Sequence, residues 1–285
     1  MELARNIESL KSLCRRWRAE GLKIGLVPTM GFFHEGHASL MRQARPQVDK
    51  LVVSLFVNPS QFGPNEDLGS YPRSQSRDEA LAAENGVDLI YLPTPAAMYP
   101  EGYDTWVEVP GLASRLCGLT RPTHFKGVCT VVLKLFNLVR PDLAVFGEKD
   151  WQQLAVIRRM ALDMNLDVEI QGGPIVREAD GLALSSRNSY LTPEERAAAP
   201  RFNRGLREAQ RMYALGERSA EALRGAILDY WAKNFLLGRV DYLELVNGSS
   251  LDNINTADAE TRAVAAMYLG KARLIDNISL SGEEN

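Results

Sequence analysis

The chain is poor in cysteine and in histidine, with three of each among 285 residues, and it has no long apolar run. Nothing approaches the ~20 consecutive apolar residues of a bilayer-spanning helix, so no membrane segment is expected. Met1-Glu2-Leu3-Ala4-Arg5 lacks the basic-then-apolar order of a secretory leader. Three cysteines without an evident pairing pattern fit a reducing compartment, and the cytoplasm is expected. An excess of charge of one sign is lacking as well, with 33 basic against 36 acidic residues. A net charge of −3 argues against general nucleic-acid binding and means that a site for anionic substrates must gather its positive charge locally. With 45% apolar and 24% charged residues, the composition is that of a soluble globular protein. The length suffices for one large domain or two ordinary ones.

Two of the three histidines sit together. The apolar stretch Leu22–Val27 reads as a buried parallel strand. It runs into Val27-Pro28-Thr29-Met30-Gly31-Phe32-Phe33-His34-Glu35-Gly36-His37, where a helix should begin. Gly31 and Gly36 permit close approach of backbone to a ligand, and a helix N-terminus offers N–H groups and a positive dipole end to phosphate. Two imidazoles added there can hydrogen-bond phosphate oxygens as charge develops. The pattern points to a nucleotide site. Two histidines three apart also suit zinc, but zinc takes at least three protein ligands. His124 is distant, and Cys14, Cys117 and Cys129 make no C-x-x-C pair, so no metal ligand is assigned. A purely structural histidine pair is the remaining alternative, and the flanking glycines after a strand weigh against it.

Strand-like runs at Leu22–Val27, Leu51–Val57, Val87–Leu92 and Leu143–Phe146 alternate with helical patterns at Ser39–Arg45, Arg77–Asn85, Phe125–Val139 and Trp151–Met164. This order implies βαβ units, hence a Rossmann-like, doubly wound parallel α/β sheet with helices on both sides. His34, His37, Asn58, Gln61 and the stretch Gly147–Gln153 each follow an expected strand, where such sheets bind ligands. After Asn188 the character changes. Thr192, Pro193 and Glu195 spell a helix start with a capping box, leading one long charged helix to about Leu215. A second helix is expected over Ala220–Phe235. Val240–Val246, Ala263–Leu269 and Arg273–Ile278 read as a small second sheet. We place a boundary near residues 176–188, with residues 1–176 as the nucleotide- and substrate-binding domain and 177–285 as a smaller α+β C-terminal domain. Ser281–Asn285 are expected to be loose.

The histidine segment resembles the P-T-M-G-x-x-H-x-G-H signature of the pantoate–β-alanine ligase family, a branch of the H-x-G-H nucleotidyltransferases distantly related to class I aminoacyl-tRNA synthetases. Three further blocks resemble that family in order and spacing: Phe56-Val57-Asn58-Pro59-Ser60-Gln61-Phe62-Gly63, Phe146-Gly147-Glu148-Lys149-Asp150-Trp151-Gln152-Gln153, and Arg177 to Asn188. The resemblance implies an ATP-dependent condensation of pantoate with β-alanine through a pantoyl adenylate, in the coenzyme A pathway. It also implies Mg²⁺ held chiefly by phosphate oxygens, and a homodimer.

By the same resemblance His37, His34 and Lys149 are catalytic. ATP is assigned to Met30, Gly31, Phe32, Phe33, His34, Glu35, Gly36, His37, Gly147, Glu148, Lys149, Asp150, Val176, Leu184, Ser185, Ser186 and Arg187. Ser185-Ser186-Arg187 corresponds to the phosphate-closing K-M-S-K-S loop of the synthetases. Asp150 either bonds ribose or caps the helix at Trp151. Gln61, Gln153 and Asn58 are assigned to pantoate and β-alanine. Neutral amides suit a hydroxy acid whose carboxylate must stay reactive. Met30 and Phe62 are expected to wall pantoate's methyl groups. Phe32-Phe33, Thr123 and Leu184 depart from the family's usual residues and bear on pocket shape. Two rivals are a nucleotidyltransferase acting on a small phosphorylated acceptor, which would want a basic pocket where Gln61 and Gln153 stand, and a nucleotide-binding regulator without turnover. The joint presence of His34, His37, Lys149 and Arg187 speaks against the latter.

Overall fold

The computed structural model describes residues 1–64 and 66–282. Of the expected loose tail, residues 283–285 lie outside the described residues. Contacts divide the chain into two compact units, Met1–Glu148 with Gln153–Gly173, and Lys149–Gln152 with Pro174–Asn285.

The first unit carries a six-stranded sheet of β1 (Glu2–Ala4), β2 (Ile24–Thr29), β3 (Lys50–Leu55), β4 (Leu89–Tyr91), β5 (Leu143–Gly147) and β6 (Glu169–Gly173). Its order is β1-β4-β3-β2-β5-β6, and every pair is parallel. The chain steps outward from β2 to β3 and β4, then returns to lay β5 on the other side of β2. The strand order therefore switches between β2 and β5, the place where open α/β sheets take ligands. The expected doubly wound sheet is present. Its edge strands β1 and β6 and the helix α1 (Ile7–Ala19) are additions to the sequence reading.

Successive residues of β5 show the two covered faces, because side chains alternate along a strand. Val145 packs in one core with Phe33, Leu40 and Met41, while the Phe146 ring meets Phe136. Leu40 and Met41 belong to α2 (Glu35–Ala44), and Phe136 to α7 (His124–Val139). The other helices of this part of the chain are α3 (Gln75–Glu84), the one-turn α4 (Pro95–Met98), α5 (Pro110–Ala113) and α6 (Cys117–Thr120), and α8 (Trp151–Asp163).

The second unit packs α9 (Pro193–Ala198), α10 (Arg201–Ala214) and α11 (Ala220–Asn234) with an antiparallel sheet of β7 (Gly238–Asn247), β8 (Thr261–Leu269) and β9 (Ala272–Ser279). The expected capping box is present: Thr192 accepts from the Glu195 N–H, and Glu195 accepts from the Thr192 N–H. The single long helix after it is corrected to two. Pro200 has no N–H to continue the ladder, so α9 ends and α10 starts at Arg201. The core gathers Phe202, Leu206, Leu223, Ile227 and Trp231 against Leu243, Ala265 and Leu274.

Candidate active site

The turn after β2 is built largely from its own neighbours. His34 is the N-cap residue of α2, and its Nδ1 accepts the Gly36 N–H at 3.1 Å. His37, three positions on, returns the contact: its Nδ1 accepts the His34 N–H at 3.3 Å. Two imidazoles thus form a capping box of the kind Ser and Glu usually make. The rings lie 4.2 Å apart between centroids. A Cβ at Gly36 would stand 2.9 Å from the His34 Cε1, so the glycine of H-x-G-H leaves room for that ring. The expected free N–H groups of this helix start are, at Gly36 and His34, already taken by imidazole nitrogens. A neutral imidazole that accepts at Nδ1 carries its proton at Nε2. The spacing therefore produces two Nε2–H donors.

Phe32 adopts a left-handed backbone, with φ of 54°, uncommon outside glycine. The carboxylate of Asp78, on α3, holds it there, accepting from Phe32 N at 2.8 Å and Phe33 N at 2.6 Å. Burial raises the Asp78 carboxyl above its ordinary range, and the Phe33 and Phe32 N–H bonds pull back against that. Phe33 is wholly buried, and Arg77 lies over the Phe32 ring. The sequence reading did not select Asp78. No local pattern joins it to a turn 45 residues earlier.

The turn after β3 is held differently. Asn58 is 1% exposed, and its Oδ1 collects the Ser60 N–H, the Ser60 hydroxyl and the Tyr99 hydroxyl at 2.8–3.3 Å. Its Nδ2 donates to Gly127 O at 3.1 Å and to Gln61 Oε1 at 3.2 Å. Gln61 is buried, and its Nε2 rests 3.1 Å from the Met30 sulfur. A thioether is a weak acceptor, so a carboxylate or hydroxyl oxygen could replace it with a gain. The Gln61 carbonyl takes Arg121 at 3.3 Å and lies 2.9 Å from His124 Nδ1. Arg121 also grips Glu66 through two bonds of 2.6 Å. A Cβ at Gly127 would fall 2.6 Å from Ser60 C and O and 2.7 Å from Gln61 N, so α7 can lie against this turn only with glycine there. Phe62 meets Tyr71 edge-on. Tyr99, Arg121, His124 and Gly127 are the supporting residues that the sequence reading did not assign.

Gln153 is half-buried in α8, and its side chain makes no hydrogen bond among the described residues. Gly147 closes β5, and Glu148 opens a 3-10 turn that runs to Asp150.

In the second unit Lys149 O accepts from Asn277 Nδ2 at 3.1 Å, and Trp151 Nε1 donates to Gly248 O at 2.7 Å. Asp150 is exposed. Val176 O accepts the Leu184 N–H at 3.0 Å, closing a small loop across Arg177–Ala183. Arg177 holds this loop through paired bonds of 2.8 and 2.9 Å to Asp276 on β9. Arg196 ties Glu178 and Asp180. Burial alone would raise Asp180, but the Arg196 bond and charge together with the backbone N–H bonds outweigh it, and the carboxyl sits below its ordinary range. Ser185 Oγ accepts the Arg187 N–H at 3.2 Å and starts the turn Ser186–Tyr190.

A parallel α/β sheet with capped imidazoles at its switch point defines an α/β protein of the H-x-G-H nucleotide-binding kind. The sequence model of the family described as pantoate-beta-alanine ligase matches residues 2–279. A pantothenate synthetase of Oleidesulfovibrio alaskensis is 56% identical over 280 residues, covering 98% of this chain and 100% of the relative. The crystal structure of pantothenate synthetase from Thermus thermophilus superposes with a TM-score of 0.94 at 43% identity, covering 98% and 99% of the two chains. The pantoate-beta-alanine ligase of Francisella tularensis, crystallised with beta-gamma ATP and beta-alanine, superposes with a TM-score of 0.82 at 33% identity over the whole of both chains. The chain belongs to the pantoate–β-alanine ligase family.

Proposed function

We propose that the chain condenses pantoate with β-alanine at the expense of ATP. The pantoate carboxylate attacks the α-phosphorus, the bond to the bridging oxygen breaks, and pyrophosphate leaves. The amine of β-alanine then attacks the acyl carbon, loses its proton and expels AMP. The observation that carries this reading is the histidine capping box, whose two Nε2–H donors suit phosphate oxygens that gain charge. Such chemistry depends on positioning and on charge stabilisation arranged before reaction. His37 and His34 stabilise the departing phosphates. Met30, Gly31, Phe32, Phe33, Glu35 and Gly36 shape the nucleotide-binding turn. Lys149 and Arg187 supply positive charge, Ser185 and Ser186 supply hydroxyls, and Gly147, Glu148, Asp150, Val176 and Leu184 complete the contacts to ATP.

Gln61, Gln153 and Asn58 serve pantoate and β-alanine. The uncommitted amide of Gln153 and the thioether-paired Nε2 of Gln61 support their assignment. Asn58, whose amide is fully engaged within the protein, fixes Gln61 in place.

Mg²⁺ accompanies ATP in this reading. Among the described residues no group of three or more His, Cys, Asp or Glu side chains could hold a metal ion. In this reading the ion is held chiefly by phosphate oxygens of ATP. We also infer a cytoplasmic homodimer with residues 1–176 and 177–285 as its domains. No helix of the described residues is long and apolar enough to cross a membrane, and all three cysteines are buried. Sedimentation should give a dimer at micromolar concentration, and a monomer would contradict that.

The test is isotope exchange. ATP and pantoate alone should exchange labelled pyrophosphate into ATP. A requirement for β-alanine would refute the adenylate, and a requirement for a phosphorylated acceptor would favour the nucleotidyltransferase.

A further inference from the structure

A cavity of about 470 Å³ lies between α1 and α7, lined by Lys11, Cys14, Arg15, Arg18, Ala19, Asn137, Leu138 and Arg140. Four of these eight residues are cationic and none is acidic. We propose that this cavity binds a small inorganic anion carrying two or more phosphate charges, separately from the nucleotide site.

Lys11, Arg15 and Arg18 recur at helical spacing and share one face of α1. Like charges four apart on a helix repel and destabilise it. Among the described residues Lys11, Arg15, Arg18 and Arg140 form no ion pair, including with Glu8 of α1 and with Glu20, its C-cap residue. Arg140 ends α7 in a left-handed conformation, with φ of 51°, where helices usually place glycine.

Some of the positive charge has an internal use. Arg18 donates to Val139 O at 2.8 Å and to Arg140 O, capping the C-terminus of α7. Both α1 and α7 end near this cavity, and each helix C-terminus contributes roughly half a negative charge. Two such ends offset about one of the four cations. The remainder lies in a concave space of the size that takes small molecules, and on a chain of net charge −3.

The place in the fold separates this cavity from the histidine turn. α1 leads into β2, and α7 leads into β5, so the cavity lies where those strands begin. His34 follows the end of β2. A six-residue strand spans about 20 Å.

Lys11 reports on the site directly. The rate at which its amine is acylated in the full chain, followed by mass spectrometry, is measured against inorganic pyrophosphate, with sodium chloride at matched ionic strength as control. Pyrophosphate should protect Lys11 saturably, and chloride should not. Arg15 is exposed, so Arg15→Ala leaves the fold intact. That variant should weaken the protection by about tenfold or more, and Arg15→Lys should restore most of it. Absence of protection, equal protection by chloride, or protection unchanged in Arg15→Ala would each overturn the proposal.

Discussion

The two turns that close β2 and β3 sit on neighbouring strands and are held by opposite means. The turn after β2 caps itself, with contacts spanning two and three residues between His34, Gly36 and His37, and Asp78 reaches in from afar to hold its backbone. The turn after β3 hangs on residues 41 to 69 positions away, Tyr99, Arg121, His124 and Gly127. The difference follows the chemistry each is assigned. Groups that act on developing charge need fixed direction, which a helix start provides locally. Groups that recognise a small substrate need a shaped pocket, and a pocket is made by several elements packed together.

Substitutions can break this contrast. The largest effect is expected at His37. If His37 donates to developing charge as proposed, His37→Ala should lower kcat by about 10²–10³, or roughly 2.7–4 kcal/mol. Steady-state kinetics on the folded variant checks this, and near-normal turnover would refute the role.

Gly127→Ala comes next. Its Cβ would collide with backbone of Ser60 and Gln61, and overpacking of this kind costs about 1–3 kcal/mol. The loss should appear as a raised half-saturating pantoate concentration, with ATP affinity kept.

Asp78→Ala sharpens the comparison from the other side. It strips the acceptor from two backbone N–H groups, at about 1–3 kcal/mol for a buried donor left unpaired. Urea denaturation should record that loss, and Asp78→Asn, which keeps one acceptor, should lose less.

The smallest effect is a pH dependence. Burial pushes the Glu66 carboxyl up, but the Arg121 bond and charge outweigh it and hold it below its ordinary value of 4.5. Its contribution to stability is complete above that value and fades as pH falls through the lowered one. Acidification below pH 4.5 should therefore destabilise the native chain more than Glu66→Gln, read by thermal melting.

How much was legible in the sequence follows the same division. β2 to β5 announce themselves because buried parallel strands are continuous apolar runs. β1 and β6 stand at the sheet edges with Glu2, Glu169 and Gln171 among few apolar residues, and carry no such pattern. α1 did carry a readable one: Asn6 caps it, and Leu10, Cys14 and Trp17 recur at helical spacing as its buried face. The H-x-G-H turn is readable because its contacts are local. Asp78, Tyr99 and Gly127 are not, since a carboxylate, a phenol or a glycine far along the chain looks like any other until folding brings it back.

The central claim is that the β2 turn governs the chemical step while the β3 turn governs pantoate recognition. Pyrophosphate exchange measured against pantoate concentration, in His37→Ala and in Gly127→Ala, tests it most directly. The account predicts a lower maximal rate with little change in half-saturating pantoate for His37→Ala, and the reverse for Gly127→Ala. If both variants lose the same parameter, the two turns do not divide the work.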